Sequence, residues 1–287
     1  MSLNTTRKNR SASVTRKGAE CSKSGKEYEV KIARICKKVH SPHLDTPLNT
    51  QEEGTLGGCG AEIDIKLNWK KDADIGVEAK RPTPDWMQLK LRKEGGSWVG
   101  VKDPKIPVES KRIFEKIIGE ENLFGGKTPT FLERSVTYNE WTAIKKETPE
   151  FKDTYIECDN STIADLYKAK DCQYIQVDGK GLYHTGEDVC EFGVPLFECK
   201  QRIRIRLKVH ATKTKKGNAS LSVTAAAQPV DLKKLERSPF SLDSLDKLPT
   251  NLLKYELALA ATLNRAASPK RSTSVNRLTE TMSKIKV

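Results

Sequence analysis

Two short segments alternate strictly between apolar and polar residues, and this pairing constrains the fold more than any other feature of the chain. In Glu62-Ile63-Asp64-Ile65-Lys66-Leu67 the aliphatic side chains fall on odd positions, and in Asp74-Ile75-Gly76-Val77-Glu78-Ala79-Lys80 they fall on 75, 77 and 79. A two-residue period is that of a β-strand with one apolar face and one polar face. The intervening Asn68-Trp69-Lys70-Lys71-Asp72-Ala73 is polar enough to turn the chain. A turn centred near Lys71 makes a hairpin in which Asp64 lies opposite Glu78. Directly opposed residues of an antiparallel pair point to one side, with β-carbons about 4.5–5.5 Å apart.

That geometry places two carboxylates within reach of one cation. Lys80 follows Glu78 by two positions and so rises from the same face, about 7 Å along the strand. A hard ion such as Mg²⁺ accepts a few carboxylate oxygens and keeps several waters, and it takes further ligands from phosphate. Such an ion lowers the pKa of a bound water and offsets charge building on phosphorus oxygens. Asp74 is a poor substitute for Asp64, because it lies four positions from Glu78 on the same strand, about 13 Å away. The alternative is that these residues form only the solvated face of an antiparallel pair.

Asp64, thirteen residues, then Glu78-Ala79-Lys80 resembles the core motif of the PD-(D/E)XK nuclease superfamily, which includes many type II restriction endonucleases and junction resolvases. Upstream, Gly25-Lys26-Glu27-Tyr28-Glu29 opens a predicted helix, and downstream stands Gln88. Ile63 precedes Asp64 where that motif often has proline. The resemblance covers about residues 25–90. It implies an α/β fold with a restriction-endonuclease-like core, in which a central mixed β-sheet is flanked by helices. It also implies Mg²⁺ held by Asp64 and Glu78, with Glu29 as a further metal-site acid, and a catalytic set of Asp64, Glu78, Lys80, Glu29 and Gln88. The activity implied is hydrolysis of DNA phosphodiester bonds that leaves a 5′-phosphate, and the basic run at 202–209 with the long central region favours an endonuclease of restriction type on duplex DNA. A Holliday-junction resolvase or repair nuclease, and a non-catalytic DNA-binding or packaging protein, are the alternatives.

Charge supports a polyanionic partner. The formal net charge is +13, and residues 1–25 and 265–287 each contribute +5. Both ends are rich in Ser, Thr and Asn and poor in large apolar residues, which predicts disordered basic tails over 1–24 and 265–287 around a nuclease domain over 25–264. These tails can follow a phosphate backbone without reading sequence, or serve only as solubilising ends.

A second alternating run, Arg202-Ile203-Arg204-Ile205-Arg206-Leu207-Lys208-Val209, sets four cations on one side and four aliphatic residues on the other. Lys213-Thr214-Lys215-Lys216-Gly217-Asn218 then turns toward Leu221-Ser222-Val223, which predicts an added basic β-hairpin. Arg202, Arg204, Arg206, Lys208, Lys213, Lys215 and Lys216 are the candidate DNA-binding residues, since arginine's planar fork suits phosphate or guanine edges. The competing reading pairs this row with Glu187, Asp188 and Glu191.

Other elements can be read more coarsely. Tyr28, Ile32, Ile35, Cys36 and Val39 form a helical stripe over about 26–39. Pro82 and Pro84 stop the second strand, and Asp85 is placed to cap a short helix through Trp86, Gln88, Leu89 and Leu91. Helices are expected around Val108–Ile118, Ile163–Ala169 and Pro249–Ala267, and a strand at Tyr174–Val177 ahead of a glycine turn. Gly54 to Gly60 lacks the Lys-Ser/Thr ending of a phosphate-binding loop. A second Glu-x-Lys, Glu198-Cys199-Lys200, has only Asp178 and Asp188 as partners.

No apolar run approaches the ~18 residues that span a bilayer, and the first residues carry no secretory apolar stretch. A soluble, intracellular protein with no membrane partner is the expectation. Seven cysteines without a Cys-x-x-Cys pair argue against a disulfide framework or a structural zinc. A homodimer would suit cleavage of both strands of a palindrome.

Overall fold

The computed structural model describes residues 20, 23–36, 38, 63–69, 73–83, 85–104, 106–119, 122–126, 132, 136–148, 152–211 and 219–252. Residues 23 and 24 of the expected N-terminal tail are helical, whereas residues 1–19, the C-terminal basic segment, Lys213, Lys215 and Lys216, and the glycine-rich approach at 54–60 lie outside the described residues. So does the expected C-terminal helix beyond residue 252; residues 250–252 are helical.

The first helix, α1, runs over residues 23–36 and buries Tyr28, Ile32, Ala33 and Cys36. It starts about a turn before Lys26, so Ser24 and Gly25 are inside it. Ser24 there accepts a hydrogen bond from the Arg81 guanidinium. Against this stripe packs one face of a four-stranded mixed sheet in the order β1-β2-β6-β7. Its strands are β1 (Ile65–Trp69), β2 (Ala73–Lys80), β6 (Tyr174–Val177) and β7 (Gly181–His184). Ile65, Leu67, Ile75, Val77 and Ala79 face α1 together with Tyr174 and Leu182. Each such aliphatic side chain contributes about 1.5–3 kcal/mol when fully buried.

The hairpin register is the one the alternation predicts. Ile65 pairs with Val77 and Leu67 with Ile75, and the ladder ends at Ile65, with Asp64 in a bend one residue before β1. The pairing continues to Trp69 with Ala73, which leaves a tighter connection than the six-residue polar stretch suggested. β2 then pairs in parallel with β6, and β6 turns tightly into β7 through Gly179, at φ +72°.

The second sheet is wholly antiparallel, in the order β4-β3-β9-β8-β5. It comprises β3 (Gln88–Glu94), β4 (Ser97–Gly100), β5 (Thr154–Cys158), β8 (Gln201–Ala211) and β9 (Ala219–Pro229). Here the expected helix through Trp86 and Leu91 is corrected: the segment is β3. Leu89 and Leu91 are buried while Lys90 and Arg92 are exposed, a period of two, and Gly95-Gly96 at φ +57° and +89° closes a hairpin into β4. The helix signal from Asp85 loses to that glycine turn and to pairing with β9.

Three further helices are α2 (Val108–Gly119), α3 (Tyr138–Glu147) and α4 (Thr162–Lys168). α2 and α4 fall where the apolar spacing predicts. Phe114, Ile118 and Leu166 pack with Leu89, Ile203, Ile205 and Val223 in a core that also holds Ile63 and, from the other face of the first sheet, Ile175 and Val177. The protein is therefore α/β, with one mixed and one antiparallel sheet flanked by helices. Among the described residues no helix is long and apolar enough to cross a membrane.

Candidate active site

The face of β2 turned away from α1 carries Glu78 and Lys80, and Asp64 enters from the bend just before β1. The hairpin register brings Asp64 to the end of β2 that carries Glu78 and Lys80. The backbone N–H of Ala79, between the two, donates to Asp64 Oδ2 at 3.0 Å and fixes that carboxylate. Lys80 Nζ lies 2.5 Å from Glu78 Oε1 and 3.6 Å from Asp64 Oδ2, so one ammonium bridges both acids. Asp64 and Glu78 are only 5% and 3% exposed.

Three further residues complete the cluster, and the sequence reading missed all of them. Lys170 Nζ sits 2.8 Å from Glu78 Oε2, and the Cys172 thiol donates to the same oxygen at 3.7 Å. The Tyr167 ring lies 5.4 Å from Lys80 Nζ and 5.9 Å from Lys170 Nζ, close enough for cation–π attraction. Among the described residues its buried hydroxyl has no hydrogen-bond partner. These residues arrive on the end of α4 and the turn into β6. The only signal that could have found them is the order strand, helix, strand, which allows β6 to lie parallel beside β2.

The two acids are electrostatically unlike. Burial and then the charge of Glu78 push the Asp64 carboxyl above its ordinary range, against the opposing pull of Lys80, Lys170 and the Ala79 N–H. Burial pushes Glu78 the same way, but the ammonium groups of Lys80 and Lys170 more than offset it and hold Glu78 below the usual range. Lys80 is raised well above a free lysine, since attraction to Glu78, Tyr167 and Asp64 outweighs its desolvation. On α1, half-buried Glu29 is pushed up to about 7 by burial and by Asp64, with Lys80 opposing. It belongs to the same electrostatic neighbourhood. Among the described residues no three His, Cys, Asp or Glu side chains form a ready-made metal cage. The cluster offers two carboxylates with an ammonium across them.

Gln88 is placed differently from the expectation. It stands on β3, where its Oε1 accepts from Lys208 Nζ at 3.3 Å, and it makes none of the contacts described for the cluster. The second Glu-x-Lys has no strand around it: exposed Lys200 pairs with Glu157 at 2.8 Å, and Asp178 is bonded to Arg81 at 3.1 Å. Asp188 is occupied by Tyr174 Oη at 2.7 Å and by the N–H groups of Phe192 and Gly193.

The basic row on β8 forms as a strand, but the suggested pairing with local acids does not hold. Asp85 accepts from Arg204 at 2.6 Å and pairs with Arg206 at 3.2 Å, and Asp153 lies 3.9 Å from Arg204. The Arg204 side chain is only 13% exposed. Arg202 stacks 3.9 Å from the Tyr155 ring centroid and donates to Gln228 at 3.0 Å. The acids that clamp the row come from distant segments and not from Glu187, Asp188 or Glu191. A second basic surface is the outer side of α1, where Lys23, Lys26, Lys31 and Arg34 line a groove with Glu27.

No family model, no curated protein and no solved structure matches the chain.

Proposed function

We propose that the protein is a metal-dependent endonuclease acting on duplex DNA, built on a restriction-endonuclease-like core. The observation that carries this reading is the convergence of Asp64, from the bend before β1, with Glu78 and Lys80 of β2 in one buried cluster. The donor set suits a hard divalent ion: two anionic oxygen ligands side by side, one of them destabilised by the other's charge. Asp64 and Glu78 would hold Mg²⁺, with Glu29 contributing through water or a second ion. The ion would supply an acidified water and charge stabilisation at the phosphate.

The chain's own residues have distinct tasks in this reading. Ala79 N–H orients Asp64, and Lys80 positions the attacking water and stabilises the charge growing on the phosphate oxygens. The buried floor, with Tyr167 and Cys172, excludes bulk water and strengthens these interactions. Arg202, Lys208 and the groove of α1 supply positive charge for the DNA backbone, and a homodimer would present two such sites to a duplex. A branched-DNA nuclease shares this chemistry and differs in substrate preference.

One observation favours a second reading. Lys80 and Lys170 already neutralise the two carboxylates, so the cluster is also self-consistent as a buried structural ion network. The test is cleavage of plasmid, linear and branched DNA with Mg²⁺ by wild type, Asp64→Ala and Lys80→Ala. A nuclease gives cutting that both substitutions abolish, with DNA binding in Ca²⁺ retained. A structural network gives no Mg²⁺-dependent cutting of any substrate.

A further inference from the structure

Glu78 is gripped on both oxygens, by Lys80 on Oε1 and by Lys170 on Oε2. The two ammonium groups are not equivalent, because Lys80 also reaches Asp64 while Lys170 serves Glu78. If Lys80 turns to a phosphate or a cation comes between the acids, Oε1 loses its partner and Lys170 still holds Oε2.

The segment that carries Lys170 is built to keep it there. After α4 the chain closes a tight turn, with the Lys170 and Cys172 N–H groups donating to Tyr167 O and with Asp171, a non-glycine residue, at φ +61°. Such a conformation costs energy and persists only where neighbours enforce it. Here β2 enforces it: Gln173 N–H donates to Gly76 O at 2.9 Å, and Gly76 N–H donates to Gln173 Oε1 at 2.6 Å. At Gly76 a β-carbon would meet Asp171 O at 2.2 Å, so only glycine lets the turn sit this close. On its other side Thr185 Oγ1 donates to Cys172 O at 2.8 Å. The turn is thus seated on β2 two residues before Glu78. The Lys170 side chain is 9% exposed, and a buried ammonium is a costly way to fill space.

We propose that Lys170 is a positioning residue that holds Glu78 through Oε2, so that only Oε1 would be left for a cation. This rests on the metal-dependent nuclease reading of the cluster.

Two arms test it with the full chain. In the first, unfolding midpoints are measured for wild type, Lys170→Met, Glu78→Gln and the double variant. Strongly non-additive effects are expected, as for residues in direct contact; additive ones would overturn the proposal whatever the protein does. In the second, Mn²⁺ affinity of the DNA-free protein and cleavage kinetics are measured for Lys170→Met and Lys170→Arg. Losing an outer partner of a metal-binding carboxylate should lower Mn²⁺ affinity and kcat by about 10–100-fold. KM for DNA should stay near the wild-type value, and arginine should restore part of the loss. Unchanged kcat and Mn²⁺ affinity in Lys170→Met would overturn the proposal, as would a raised KM with kcat intact, which would make Lys170 a DNA contact. A wild type that neither cuts DNA nor binds Mn²⁺ removes the nuclease reading itself, and the midpoint cycle still decides the Lys170–Glu78 contact.

Discussion

The carboxylate of Asp64 accepts the backbone N–H of Ala79 at 3.0 Å, which ties the acid before β1 to the residue between Glu78 and Lys80. This bond couples the register of the hairpin to the geometry of the cluster. A slip of one residue would move every side chain of the strand to the opposite face.

Replacing Asp64 separates the structural role of this bond from the chemical one. Asp64→Asn keeps an acceptor for the Ala79 N–H and removes the repulsion with Glu78, so thermal stability is expected to hold or rise. Asp64→Ala leaves that buried N–H unpaired, at a cost of about 1–3 kcal/mol. Both variants are expected to lose Mg²⁺-dependent cleavage. Denaturation curves beside cleavage assays check the pattern, and an Asn variant less stable than the Ala variant would contradict it.

Glu29 gives a pH dependence of defined sign. Its folded pKa of about 7 exceeds the ordinary 4.5, so the native state binds the extra proton in this window. Stability from this group is present below about 4.5 and is lost as pH rises toward about 7. In metal-free buffer Glu29→Gln should therefore gain on wild type between these values. Thermal midpoints across the window check it; a difference that shrinks with rising pH would sink the assignment.

Gly76→Ala tests the seat of the Lys170 turn. Its added β-carbon meets backbone at 2.2 Å, which no side-chain rotation relieves. A loss of about 3 kcal/mol or more is expected, at the upper end of overpacking costs. A stable, fully active Gly76→Ala protein would show that β2 and the turn are not pressed together.

The arginines of β8 should behave unlike one another. Arg204 shares Asp85 with Arg206, so Arg204→Ala is expected to lower stability mainly. Arg202 has a ring and an amide as its side-chain partners, so Arg202→Ala should leave stability close to wild type. It should weaken DNA binding and reduce the salt slope by about 1. Binding isotherms at several salt concentrations, with melting curves, decide between this order and its reverse.

What could be read from the chain was local. The β1–β2 register follows from alternation and a short connection, and with it come Asp64, Glu78 and Lys80. Lys170, Tyr167 and Cys172 depend on the parallel β2–β6 pairing across more than ninety residues, as the 92-residue separation of Lys170 from Glu78 shows. No periodicity reports such a contact. β8 was legible as an amphipathic strand, but its clamp is Asp85, 119 residues from Arg204. At β3, Asp85 and the prolines resemble a helix start, whereas the Gly95-Gly96 turn and the pairing with β9 settle that segment as a strand.

The central claim is that Asp64 and Glu78 together hold a divalent cation, and anomalous scattering from a Mn²⁺-soaked crystal tests it most directly. The account predicts one strong peak between the two carboxylates, with Lys80 displaced from its bridge and Lys170 still on Glu78 Oε2. No peak at saturating Mn²⁺, with Lys80 still spanning both acids, would contradict it.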